Sequence, residues 1–282
     1  MTVRDALLLG TDKLKAAGLD GSRLEAEILL GWALGLDRAG LYVNSTNIVP
    51  KSKLGKYRKA LSQRTKRRPW QYITGQTEFY GLNLRVNKAV LIPRPETELL
   101  AEQVISRWRK EWTTALDIGT GSGALALALA QRLNYVKITA CDCSPSALKT
   151  ARLNAVRLGL AKKVRFIKAN LFPRGRAGYD CIISNPPYIP SGQIAGLQPE
   201  VSRYEPRQAL DGGRDGLDFY RRIAKALKNK LKPGGLLALE VGKGQAIKVC
   251  SILKKGNPDF LMEVVKDYAG INRMVFANRV SK

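Results

Sequence analysis

Histidine is absent from the 282 residues of this chain. Mechanisms that lean on an imidazole base, Ser-His-Asp triads among them, are therefore excluded, and a zinc site would have to be built from thiolates alone. Cysteine is scarce as well. Cys141, Cys143, Cys181 and Cys250 sit mostly in apolar strand or helix contexts, which reads as buried reduced thiols of a cytoplasmic protein without a metal site. No apolar run approaches the ~20 residues that a membrane span requires. The first residues mix Arg4, Asp5 and Asp12 around a short Ala-Leu-Leu-Leu stretch, so no signal peptide is expected either. Acids are few: 23 Asp and Glu face 48 Lys and Arg, a net charge of +25. The deficit is concentrated over 51–68, Lys51 and Arg68 included, where nine cations stand with no acid. Such a run is a solvated helical face or an electrostatic footprint for an acidic or RNA-bearing partner. Tyr57, Trp70 and Tyr72 lie among these charges and keep nucleic-acid contact open.

What is present begins with Asn185-Pro186-Pro187-Tyr188, placed straight after the apolar run Cys181-Ile182-Ile183-Ser184. Two prolines fix φ and carry no N–H, so the carbonyls around them stay free to accept hydrogen bonds. The residue before a proline is pushed towards extended geometry, which aims Asn185 outward. Asn185 offers an acceptor oxygen and two donors, and Tyr188 a flat face with a polar tip. Together they suit gripping a planar NH2 group at both hydrogens and sandwiching its plane. Taken alone, the tetrapeptide is equally ordinary turn punctuation.

Upstream, Asp117-Ile118-Gly119-Thr120-Gly121-Ser122-Gly123 leads from an apolar strand into an alternating Ala-Leu helix former. Glycines let backbone approach a ligand closely, and the helix behind them points free N–H groups at it. A second strand ends in Asp142, about twenty residues past the last glycine, where an acid can hold a ribose hydroxyl pair. These are the parts of a nucleoside site. The loop by itself does not choose between S-adenosylmethionine and a nicotinamide cofactor, since with Ala124 it also satisfies a loose dinucleotide pattern. The proline-rich strand end does choose.

Along the chain, Leu7, Leu8, Leu14, Ala17, Leu24, Ile28, Leu29 and Trp32 recur at helical spacing around a break at 18–21, so the first part, to about residue 71, is expected to be helical with this stripe as core. Alternation over 76–92 with turn residues at Gly81 and Asn87-Lys88 predicts a β-hairpin. Strands are predicted near 113–118, 136–141, 163–168, 179–184, 236–241, 260–266 and 273–277, and helices over 96–109, 216–231 and 244–254, with a long polar stretch over 190–215. Alternating strands and helices imply a parallel sheet, closed by an antiparallel pair around Gly270.

Asp117 to Gly123, Asp142 and Asn185 to Tyr188 resemble the motifs of class I S-adenosylmethionine-dependent N-methyltransferases. Gln71-Tyr72-Ile73-Thr74-Gly75, Ile92-Pro93-Arg94-Pro95-Glu96-Thr97-Glu98, Glu205-Pro206-Arg207-Gln208-Ala209-Leu210, Gly212-Gly213-Arg214-Asp215-Gly216-Leu217 and Lys232-Pro233-Gly234-Gly235 narrow the resemblance to the HemK/PrmC family. The resemblance is dense from about residue 70 onward and looser before it. It implies an α/β fold, a Rossmann-like, seven-stranded, mostly parallel sheet, with a small N-terminal helical substrate-docking domain (1–75), a β-hairpin linker (76–92) and a catalytic domain (93–282). It further implies transfer of a methyl group from S-adenosyl-L-methionine to the side-chain amide nitrogen of the glutamine in the Gly-Gly-Gln motif of peptide chain release factors. The Arg94 to Glu98 run resembles the release-factor branch better than the sister branch acting on ribosomal protein glutamine. By the family pattern, Asp117, Gly119, Thr120, Gly121, Ser122 and Gly123 hold the methionine end, and Asp142 the ribose. Asn170-Leu171 flank the adenine where the family often has Asp and an aromatic residue. Glu205, Pro206, Arg207 and Arg94 are expected to order the loop over the site.

A glutamine amide nitrogen is a poor nucleophile, and orientation is the remedy these residues offer. With Asn185 Oδ1 and the Pro186 carbonyl each accepting one amide hydrogen, the nitrogen is aimed at the methyl and developing positive charge is stabilised. The same grip of Asn185, Pro186, Pro187 and Tyr188 would hold an exocyclic amine of nucleic acid, so a nucleic-acid methyltransferase, and more remotely a noncatalytic RNA-binding protein on this scaffold, are the competing readings.

Overall fold

The first helix starts at a capping box: Thr2 Oγ1 accepts the Asp5 amide at 3.1 Å and the Asp5 carboxylate accepts the Thr2 amide at 3.0 Å. Behind it run α1 (Val3–Ala16), α2 (Ser22–Leu34), α3 (Arg38–Val43), α4 (Lys51–Arg64) and α5 (Trp70–Thr74). The computed structural model describes residues 1–175 and 178–280. In it the chain divides into two units, one of Met1–Gln76 with Gln198–Tyr204, the other of Thr77–Leu197 with Glu205–Lys282. The helical unit buries Leu7, Leu14, Leu29, Leu30, Leu41 and Leu61 around Tyr57. Tyr57 fits because Gly10 faces it: a Cβ there would lie 1.7 Å from the Tyr57 hydroxyl. The expected apolar stripe needs correcting at Leu8 and Leu24, which are exposed, because only the i, i+3, i+4 face of each short helix meets its neighbours. Segment 198–204 belongs to this unit through Glu200, which accepts from Arg64 and Arg67 at 2.8 Å each, while Arg64, almost wholly buried, also binds Glu25.

The second unit opens with the hairpin of β1 (Gln76–Phe79) and β2 (Leu82–Arg85), turned by Tyr80 and Gly81, both at positive φ. Next come α6 (Pro95–Ser106), β3 (Thr114–Ile118), α7 (Ala124–Arg132), β4 (Lys137–Asp142), α8 (Pro145–Arg157), β5 (Val164–Lys168) and β6 (Tyr179–Ser184). A 3-10 turn at Ser191–Gly196 precedes α9 (Pro199–Tyr204), the inserted piece of the helical unit. After it follow α10 (Asp218–Lys230), β7 (Leu231–Glu240), α11 (Ala246–Gly256), β8 (Phe260–Lys266) and β9 (Asn272–Arg279). Seven strands form one sheet in the order β5-β4-β3-β6-β7-β9-β8, parallel except for β9, which pairs antiparallel with both neighbours. Period-2 alternation divides the strands between two cores. Ala115, Cys181, Ile183, Ala238 and Phe276 face α6 and α7, whereas Leu116, Ile182, Leu237, Leu239 and Val275 face α10 and α11.

The seven predicted strands are all present. β7 starts earlier than expected, at Leu231, because the Pro233-Gly234-Gly235 segment is a bulge: pairing jumps from Tyr179 with Leu231 to Cys181 with Leu236. The polar stretch over 190–215 is not structureless but carries two 3-10 turns and α9, and α8 was not anticipated. β3 pairs with β4 on one side and β6 on the other, so the strand order reverses beside it. A cleft is expected at the carboxyl ends of such strands.

Candidate active site

At the carboxyl end of β3 the chain must turn back into α7 within five residues, and three glycines at positive φ do this: Gly119 (72°), Gly121 (55°) and Gly123 (87°). A Cβ on Gly119 would meet nothing within 4 Å, so its conformation rather than crowding asks for glycine, and the room before it belongs to the cleft. Gly123 is needed for packing too, since its Cβ would stand 3.2 Å from that of Ala151 in α8. The loop is tied from both sides. The Gly119 and Thr120 amides donate to the Cys141 carbonyl at 2.9 Å each, and the Gly121 amide donates to Asp142 Oδ2 at 3.0 Å. Asp142 Oδ1 accepts the Ser144 amide at 2.8 Å.

Asp117 lies beneath this loop. Its Oδ2 accepts the Thr120 hydroxyl at 2.6 Å and the Ala126 amide at 3.2 Å, while its buried Oδ1 has no partner among the described residues. Burial pushes its carboxyl up to about 7, against the pull of those hydrogen bonds.

β6 is buried throughout, and Ile118 and Ser184 are register partners at the ends of β3 and β6. Ser184 donates its hydroxyl to the Ile118 carbonyl at 2.7 Å, which sets Asn185 beside the glycine loop. Asn185 Nδ2 donates to Thr97 Oγ1 of α6 at 3.0 Å, and Thr97 donates in turn to Glu240 Oε2, at the end of β7, at 2.6 Å. Burial pushes the Glu240 carboxyl up to about 7. Beyond Asn185 the backbone is clamped: Gln245 Nε2 donates to the Tyr188 carbonyl at 2.9 Å, and Ile189 exchanges hydrogen bonds with Leu210 and Gly212.

These elements enclose a cleft of about 440 Å³. Of the residues singled out in the sequence, Gly119, Gly121, Asp142, Asn170, Leu171, Asn185, Pro186 and Pro187 line it. Asp117, Thr120, Ser122, Gly123 and Tyr188 do not. Thr120 serves Asp117, the Ser122 carbonyl accepts Asn154 Nδ2 at 2.8 Å, and Gly123 caps α7. The sandwich expected of Tyr188 is not built in this cleft: its ring packs into the core beneath α10 and α11, and its hydroxyl acts on Glu240. Asn170 Oδ1 accepts from Arg222 at 2.6 Å, and Leu171 holds a positive φ of 75°. Pro206 and Gln208 of the Glu205 to Leu210 motif also line it, and the aromatic surface comes from Phe219, which, with Val90 and Leu91, was not legible as part of a site. No periodic or motif signal marks those residues. Arg94 and Glu205 do pair, at 2.7 Å, and Glu205 is buried, so this is not a surface ion pair; burial raises its carboxyl. Among the described residues no cluster of His, Cys, Asp and Glu is arranged to hold a metal ion. No described helix is long and apolar enough to cross a membrane.

A seven-stranded sheet of this order, with a glycine loop after β3, an acid ending β4 and Asn-Pro-Pro-Tyr ending β6, defines a class I methyltransferase. The chain is 44% identical over 276 residues to the release factor glutamine methyltransferase of Geobacter sulfurreducens, spanning 97% of this chain and 95% of that protein, and 42% identical to its namesake in Moorella thermoacetica, spanning 99% of each. It belongs to the HemK/PrmC family of release factor glutamine methyltransferases. Residues 5–75 match the model of the PrmC N-terminal domain, and 95–197 that of the methyltransferase small domain. The crystal structure of a methyltransferase from Pyrococcus furiosus shares the fold, with a TM-score of 0.52 at 20% identity over 71% of this chain and 90% of that one.

Proposed function

We propose that this enzyme methylates the side-chain amide nitrogen of the glutamine in the Gly-Gly-Gln motif of peptide chain release factors, with S-adenosylmethionine as donor. The observation that carries the reading is the placement of Asn185 and Pro186 on the wall of the cleft that the glycine loop and Asp142 also line. The cleft suits the donor by its chemistry. Gly119 and Gly121 leave room for close approach to the methionine portion, with Asp117 as the acid behind them. Asp142 retains lone pairs for a ribose, and Leu171 and Phe219 offer apolar and aromatic surface to a flat base. S-adenosylmethionine supplies a sulfonium-bound methyl, electrophilic enough to be taken by a neutral nitrogen.

The chain's own residues orient the acceptor. Asn185 Nδ2 is committed to Thr97, so Oδ1 is left to accept one hydrogen of the substrate NH2. The Pro186 carbonyl, for which no donor is found among the described residues, accepts the other. Each bond strengthens as positive charge grows on nitrogen, which is where transition-state stabilisation is gained. No strong base is required, and the surplus proton leaves to water once the nitrogen is methylated. Tyr188 supports this grip from behind by anchoring the strand end.

Nucleic-acid amine chemistry is the weaker reading here. Tyr57 and Tyr72 are buried and cannot stack on bases, Trp70 is only partly exposed and packs against the helical core, and Tyr188 does not line the cleft. The deciding experiment supplies labelled S-adenosylmethionine with purified release factor, its Gly-Gly-Gln glutamine variant, or single-stranded and duplex nucleic acid. Label on the factor that disappears with the glutamine variant is expected; label on nucleic acid alone would overturn the proposal.

A further inference from the structure

Glu240 ends β7 almost wholly buried, and among the described residues no lysine or arginine stands within ion-pair distance of its carboxylate. A buried carboxylate without a direct counter-ion is costly, so its surroundings show what it does there. Facing it are Thr97 and Glu96 of α6, the hydroxyl of Tyr188, and Arg273 of β9; Tyr220 of α10 donates to its backbone carbonyl at 2.9 Å. The short bond in this group is the one from Thr97, and Thr97 is also the partner of Asn185.

A hydroxyl carries one proton. While Glu240 is ionised and takes it, Thr97 can offer Asn185 lone pairs alone, and the Asn185 amide must present its NH2 to Thr97 and its oxygen away from it. Were the hydroxyl free to turn, the amide could flip and set its own NH2 against the NH2 of the substrate. Donor would then meet donor, and the grip would be lost. We propose that Thr97 and Glu240 are positioning residues, a polar relay that fixes which end of the Asn185 amide faces the cleft. The relay rests on the assignment of Asn185 as the acceptor for the substrate amide. Neither Thr97 nor Glu240 lines the cleft, so the relay acts on turnover and leaves donor affinity alone.

The test compares Thr97→Val, Thr97→Ser, Glu240→Gln and Asn185→Ala in the full chain, reading kcat on release factor at saturation and the S-adenosylmethionine Kd by calorimetry. Thr97→Val is expected to lower kcat about 10- to 100-fold, as a misplaced reacting group does, with the Kd within about two-fold of the parent and most of kcat restored in Thr97→Ser. Glu240→Gln, whose amide no longer dictates the direction of the hydroxyl, is expected to lower kcat likewise with the Kd kept. It decides the matter should Thr97→Val fail to fold. An inactive Asn185→Ala beside a fully active Thr97→Val or Glu240→Gln would overturn the relay alone, as would a Thr97→Ser no better than Thr97→Val. A fully active Asn185→Ala would instead overturn the acceptor assignment, and the relay with it.

Discussion

Asp142 binds the amide of Gly121 at 3.0 Å, so the acid that closes β4 also holds the middle glycine of the loop that closes β3. Its other oxygen caps the Ser144 amide at 2.8 Å. Asp142→Ala should therefore cost twice, through a loosened loop and through loss of the acceptor proposed for the ribose. Hydrogen bonds to a charged group are worth about 1.5–3 kcal/mol each, so the S-adenosylmethionine Kd should rise at least about ten-fold in calorimetry. An unchanged Kd would remove Asp142 from the site.

Removal of Asn185 bears on turnover instead. Asn185→Ala takes away one of the two acceptors proposed for the substrate amide, a loss of about 10²–10³ in kcat by the scale of single oriented hydrogen bonds, with donor binding largely retained. Single-turnover methylation of release factor is the measurement, and parental rates would refute the grip.

Asp117 gives a dependence on pH. Burial raises its carboxyl from the ordinary 3.8 to about 7, so the folded chain holds a proton there that the unfolded chain releases at lower pH. Stability from this group is complete below about pH 4 and is lost as pH rises from there through about 7. Asp117→Asn keeps the acceptor for Thr120 and Ala126 and abolishes the titration. In urea melts the variant should gain on the parent by about 2 to 4 kcal/mol between pH 5 and pH 8. Parallel stability curves would argue against a protonated Asp117.

Gly216 lies at φ +76°, and a Cβ there would come 2.3 Å from the Tyr188 carbonyl oxygen. Gly216→Ala should push the strand end out of place and lower both Tm and kcat. Gly159, at φ +70° with nothing within 4 Å, is the control: Gly159→Ala should cost about 1–2 kcal/mol of backbone strain and leave kcat intact.

In the helical unit, Arg64 bridges Glu25 and Glu200. Arg64→Ala takes the cation from partly buried Glu25 and leaves Glu200 to Arg67 alone, a loss towards the lower end of the about 3–5 kcal/mol seen where buried pairs are broken. Chemical denaturation should register it, and a loss under about 1 kcal/mol would contradict the bridge.

Much of this architecture was legible because its strands are buried and apolar. β6 reads Tyr-Asp-Cys-Ile-Ile-Ser and could hardly lie on a surface, and the glycines of the loop announce left-handed backbone by their spacing alone. What escaped notice depends on residues distant in sequence. Glu240 looks like the polar end of a strand until Thr97, 143 positions away, is found against it. Phe219 reads as a helix residue, since nothing in its neighbours tells that Asn170 and Leu171 lie across a cleft from it. Tyr188 belonged to the motif yet turned inward, because Gln245 and the glycines at 212 and 216 dictate its backbone. Bulges such as 233–235 are hidden for a related reason: proline and glycine signal a break but not whether pairing resumes beyond it.

The helical unit is also discontinuous in the gene, in that seven of its residues, Gln198–Tyr204, are encoded deep within the other unit's stretch. A recombination event joining one relative's first 76 codons to another's remainder would therefore separate Arg64 and Arg67 from the Glu200 they pair with. Chimaeras of this family should inherit the helical module faithfully only when two separate segments travel together. Substitutions at 64, 67 and 200 should accordingly drift as a set, independently of the catalytic motifs that flank them.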